Sequence, residues 1–184
     1  MRWQLARRMS LVVVAIFGVG LFLGSRYVAP TSPVQGSASE RLRPVSSSST
    51  DAGAGGTVYV PVYSSIYVGL DIKKTMVDLA ATVSVRNVST RHPLVLEVVR
   101  YYDSAGKRVR DYVQAPSELP PLATVEFVIQ RADATGGPGA NFLIQWKGPA
   151  GVDEPLIEAV MIGQSANAGI SFTSAGRNVT EAAR

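Results

Sequence analysis

The nine residues VDLAATVSV, at positions 77–85, constrain the fold more than any other stretch. Val77, Leu79, Ala81, Val83 and Val85 share one parity, with Asp78, Thr82 and Ser84 on the other. Side chains alternate across a β-strand, so this pattern buries one face and wets the other; a helix would scatter the same apolar set around its surface. LATVEFVIQ repeats the pattern: Ala123, Val125, Phe127 and Ile129 point inward, Thr124, Glu126 and Gln130 outward, and the LPP before it makes a strand-entry bend.

LVLEVVRYY is apolar on both parities, as suits a central strand, and DSAGK after it supplies Asp and Gly for a hairpin turn into RVRDYV. NFLIQW, PLIEAVMIG and GISF follow. In TVYVPVY, Val58, Val60 and Val62 alternate, but Pro61 cannot donate a ladder hydrogen bond, which places this strand at an edge or bulge. The expected fold is all-β: an immunoglobulin-like β-sandwich of about eight short strands over residues 57–175, with a Greek-key β-barrel as the alternative and 176–184 as a flexible tail.

The chain before this domain has a different character. Arg2, Arg7 and Arg8 lead into an uncharged apolar run, residues 11–24, the order of a charged n-region followed by an h-region. Both readings of residues 1–29, a cleaved signal peptide and an uncleaved signal anchor, put the following chain across the cytoplasmic membrane. The anchor is favoured because Tyr27 and Pro30 make a poor cleavage site after Ala29. As a transmembrane helix it leaves the N-terminus in the cytoplasm and the domain in the periplasm or extracytoplasmic space. Residues 30–56, rich in Ser, Pro and Gly, read as a disordered linker; 27 residues of such chain reach roughly 30 Å on average.

Charge follows the same division. The sequence pI is near 9.6, yet residues 57–173 carry ten Lys or Arg against eleven Asp or Glu. The basic excess belongs to the N-terminal part, so the domain lacks the field that phosphate contacts need, and nucleic acid is not an expected partner. There is no cysteine, which excludes disulfides, thiolate nucleophiles and Cys-ligated zinc.

The motifs VYVPVYSSIY, VSVRN, VVRYYDSAGKRVRDYV, GGPGANFLIQW and IEAVMIGQ followed by GISFTSAGR resemble, in this order, a bacterial domain-of-unknown-function family, numbered 3124. The resemblance covers residues 57 to about 177. It implies an extracytoplasmic domain, often behind a signal or lipoprotein segment, and carries no catalytic residue to this chain. Without a cysteine, attachment here falls to residues 11–24.

Each local motif has a plain reading beside a chemical one. TGGPGANF lacks the lysine and the following helix of a phosphate loop. It matches a calcium nonapeptide at Gly136, Gly137, Gly139 and Leu143, but Asn141 stands where that motif needs an acid and there is one copy. A tight turn before the strand carrying Phe142, Ile144 and Trp146 is the expectation. His92, the one histidine, belongs in a loop, and no Gly-x-Ser-x-Gly elbow accompanies it. No catalytic residue, metal site or cofactor is expected.

Glu158, among apolar neighbours, is open to three readings: a solvated face, a pair (Arg100 being one partner), or an acid working with Asp153 or Glu154. The recognition candidates are Tyr59, Tyr63 and Tyr67, which share parity and, on an extended edge strand, form a row suited to stacking on a glycan or to pairing with a partner strand. The functional expectation is a membrane-tethered, non-catalytic binding or assembly module of the bacterial envelope with a protein or glycan partner. The alternatives are an envelope hydrolase and a purely structural subunit.

Overall fold

The alternating segments become strands whose inward residues meet in one core. The computed structural model describes residues 41–45, 53–69 and 75–180. Its strands are β1 (Arg43–Pro44), β2 (Ala54–Pro61), β3 (Ser65–Tyr67), β4 (Met76–Arg86), β5 (Leu94–Tyr102), β6 (Arg108–Asp111), β7 (Ser117–Leu119), β8 (Thr124–Ile129), β9 (Asn141–Gly148), β10 (Leu156–Ser165), β11 (Ala168–Ala175) and β12 (Arg177–Val179).

They form two antiparallel sheets, and neither closes into a barrel. In the first the order is β1, β7, β5, β9, β2, β12, with β6 beside the far half of β5. In the second it is β11, β10, β4, with β3 and β8 sharing the other side of β4. The five inward residues of β4 and Val125, Phe127 and Ile129 of β8 are buried as the alternation requires. The Tyr112 ring meets Phe142 of the first sheet at 5.3 Å and Phe127 of the second at 5.5 Å between centroids, and Phe142 in turn meets Tyr101 at 5.2 Å. These contacts tie the two sheets together.

The both-sided apolarity of β5 has a more specific cause than a central position. The pairing with β9 shifts register between Leu96 and Val98, so Leu94 and Leu96 are buried on one parity and Val99 and Tyr101 on the other. A bulge re-aims the second half of the strand into the same core.

Two segments pass from one sheet to the other. Val62 donates to Ala140 O at 2.9 Å and Ser64 to Gly137 O at 3.2 Å, while Ser64 O accepts from Leu79 of the second sheet at 2.9 Å. Gly176 joins β11 to β12; a Cβ there would meet Val58 Cγ1 at 2.7 Å and Ile157 O at 2.9 Å, so only glycine fits the crossing.

Three boundaries differ from expectation. Gly55 and Gly56, read as linker, belong to β2, because they pass over Trp146: a Cβ on Gly55 would come within 2.8 Å of Trp146 O. Arg43–Pro44, also within the expected linker, pairs with β7. Residues 177–179, read as tail, pair with residues 57–59 of β2. The described residues thus hold twelve strands where eight were expected, since two- and three-residue ladders are too short to show alternation. The signal anchor expected over residues 1–29 lies outside the described residues; within them, no helix is long and apolar enough to cross a membrane.

Candidate functional site

The three tyrosines do not form one row. Tyr59 sits in β2 of the first sheet, 37% exposed, and Tyr67 in β3 of the second, 50% exposed. Between them the chain changes sheets, and Ser64 and Ser65 are both buried, which breaks the parity. Tyr63 lies at the crossing, part-buried, with its ring edge-on to Phe172 of β11 at 5.5 Å. Pro61 ends β2. Its carbonyl accepts from the Ser174 hydroxyl of β11, so its backbone faces away from β9 and no ladder donor is lost.

The glycine-rich turn is packed rather than open. Ser104, in the β5–β6 hairpin, donates through N and Oγ to Gly136 O, both at 2.9 Å, and its Oγ accepts from Gly139 N at 2.8 Å. Gly136 lies against the Tyr101 hydroxyl, and Gly137, at φ 73° and ψ −167°, holds a conformation that only glycine adopts freely. The turn therefore clasps the hairpin and leaves no cradle. The Tyr101 hydroxyl is buried without a hydrogen-bond partner among the described residues. Burial raises its pKa. Next to the turn, Asp133 accepts from Thr135 N and Oγ1 and from Arg110 Nη2 at 3.0 Å. The Thr135 hydroxyl, then its amide and Arg110, hold the Asp133 carboxyl below the usual carboxylate value.

Glu158, Asp111 and Glu154 each have a partner. Glu158, on the outer face of β10, binds Arg86 at 3.0 Å across the sheet, and Arg100 binds Asp111 at 3.2 Å. Glu154 accepts from Asn178 Nδ2 at 2.6 Å. His92 is exposed in its loop, and its carbonyl accepts from Asn87. Asn87 is 2% exposed; its Nδ2 also donates to Leu119 O and Pro120 O, so it fixes the loops at this end. Among the described residues no three His, Cys, Asp or Glu gather as a metal centre would require.

What remains is an open edge. Gly176 N donates to Ile157 O at 2.8 Å, and Ser165 pairs with Ala168 across a two-residue turn, so the even-numbered residues of β11 face β10. The backbone groups of Gly169, Ser171, Thr173 and Ala175 point the other way and meet no partner among the described residues. All eight residues of β11 are uncharged, and none is proline.

The other edges are guarded. On β8, Thr124 O accepts from Arg41 at 3.3 Å and Val128 O from the Tyr112 hydroxyl at 3.2 Å; β6 carries Arg108, Arg110 and Asp111, and β1, β3 and β12 have three residues or fewer. From the open edge an uncharged band crosses the outer face: Thr173, Val160, Thr82 and Val128 in one row, Ser171, Ile162 and Ala80 in the next. Ile162 and Val128 are 58% and 49% exposed. Sequence reading found β11 as the strand GISF but not its edge position, because no local pattern says which strand lacks a neighbour.

A family model described as "Protein of unknown function (DUF3124)" matches residues 55–179. No curated protein matches the chain. A solved structure titled "Crystal Structure of Thermotoga maritima 1070" is similar at 8% identity and a TM-score of 0.40, covering 66% of this chain and 92% of its own, too distant to carry an argument.

Proposed function

Since the chain belongs to the DUF3124 family, whose description names no activity, function has to be argued from the site; we propose that the protein is a non-catalytic binding or assembly module. In this reading the domain is an immunoglobulin-like sandwich on the outer side of the cytoplasmic membrane of a bacterial envelope. A single N-terminal anchor holds it there. The observation that carries the reading is the unguarded eight-residue edge of β11 with its uncharged band. Natural sheets blunt such edges with charge, proline or brevity, and an open one is a template for strand addition.

The tyrosines divide the work. Tyr59 and Tyr67 keep enough exposed ring to stack on a protein or glycan partner, whereas Tyr63 braces β11 from the core side through Phe172. The separation of Glu158 and Glu154 into Arg86 and Asn178 pairs favours binding over two-acid hydrolysis.

The test is co-purification of the full chain from solubilised membranes. Thr173→Pro removes an outward N–H without touching the ladder to β10, so the domain folds and capture is lost. Unchanged capture by this variant would sink the reading.

A further inference from the structure

The edge of β11 is complementary to itself, and this observation selects its partner. We infer that β11 pairs antiparallel with β11 of a second copy, about a two-fold axis passing beside Phe172. The inference rests on the reading of this edge as an assembly surface and adds what occupies it.

Antiparallel pairing brings together residues that both turn their backbone outward. With the axis at Phe172, Ser171 faces Thr173 of the second copy and Gly169 faces Ala175, each relation occurring twice by symmetry. All four outward residues of each copy then find partners, so no N–H or C=O of the edge is left over. Moving the axis one residue either way leaves an end residue of the edge without a β11 residue opposite.

Side chains agree with this register. On the outer face the facing pairs are Ser with Thr and Gly with Ala, which are small and able to hydrogen-bond, and no charge meets its like. Ala168, Gly169, Ser171, Thr173 and Ala175 are exposed in the single chain, so the edge is accessible. Pairing would also join the uncharged bands of the two copies into one surface, placing Val160 and Ile162 next to the new ladder. A charged or proline-bearing strand from another protein would forfeit part of this match.

The absence of cysteine makes the test clean. Ser171→Cys and Thr173→Cys are made separately in the full chain, with different tags, and expressed alone or together before mild oxidation in membranes. Directly opposed residues have Cα atoms about 5.5 Å apart, suited to a disulfide, whereas residue 171 and its own symmetry copy are diagonal neighbours at about 7–8 Å, outside its undistorted reach. The expected result is a disulfide-linked dimer carrying both tags on co-expression, and its loss when either variant is expressed alone. Adding Thr173→Pro to the Ser171→Cys chain abolishes it.

Equal dimer yields from Ser171→Cys alone overturn the register. A chain that never links to itself, but whose Thr173→Cys links to a different protein, overturns self-pairing and leaves the assembly module standing. No link of any kind, with co-purification unaffected by Thr173→Pro, overturns both.

Discussion

Gly136→Ala is the sharpest probe of how the glycine-rich turn is built. A Cβ there would fall inside the Tyr101 hydroxyl, 2.6 Å from Tyr101 Cζ and 2.7 Å from Ala140 Cβ, where carbon atoms ordinarily sit about 3.5–4.0 Å apart. Tyr101 cannot retreat, being fully buried with its ring 5.2 Å from that of Phe142. Overpacking typically costs about 1–3 kcal/mol, and three simultaneous clashes in a rigid site put this change at about 3 kcal/mol or more.

Tyr101→Phe alone should cost under about 1 kcal/mol, because the hydroxyl it removes is buried without a partner. In the double variant the nearest approach relaxes to 2.6 Å, so the two changes should compensate by about 1 kcal/mol rather than add. The assay is urea denaturation followed by Trp146 fluorescence in a Trp3→Phe background, Trp146 being 3% exposed. At typical denaturant sensitivities Gly136→Ala should lower the midpoint by about 1–2 M. An unchanged midpoint, or strictly additive costs, would refute the packing argument.

Three further outcomes follow from the geometry. Leu122 holds φ 57° at the third position of a turn closed by Ala123 N to Pro120 O at 3.1 Å and is 66% exposed; Leu122→Gly should stabilise by about 0.5–1 kcal/mol in thermal melts, while Leu122→Ala, which keeps the strain, should not. Asn87→Ala leaves three carbonyls short of a donor and should cost about 2–4 kcal/mol by denaturation, whereas Val88→Ala, at an exposed neighbour, should be near neutral. The Asp133 carboxyl is held below its unfolded value near 3.8, so its stabilisation is present above that pH and is lost as pH falls through the lower folded value. Asp133→Asn should flatten the acid limb of a stability-against-pH curve, and an unchanged limb would refute this assignment.

How much of this was legible in the sequence varies by element. The inward sets of β4 and β8 could be read residue by residue, because parity is a local property of one strand and burial follows it. The hairpin at DSAGK was equally plain: Asp103 Oδ1 accepts from Ala105 and Lys107, and Gly106 takes φ 76°, all within five residues. Gly136 and Gly137 were legible as a turn but not as a clasp, since Ser104 and Tyr101 lie more than thirty residues away.

The tyrosine row failed as a geometric expectation because its premise, an extended chain through residues 59–67, depended on which sheet each half would join. Gly55–Gly56 and Arg177–Val179 were misread for a related reason: a glycine that clears a tryptophan and a three-residue edge strand look like linker and tail until their neighbours are known.

By itself, then, the sequence determined an all-β domain, the parity of its long strands, its turns and a near-neutral charge. Only the tertiary structure decided which strands are neighbours, and so which acids are paired and which edge is left open. Alternation records the face a side chain takes, whereas the in-plane hydrogen bonds that assign neighbours come from the backbone, which is nearly the same for every residue.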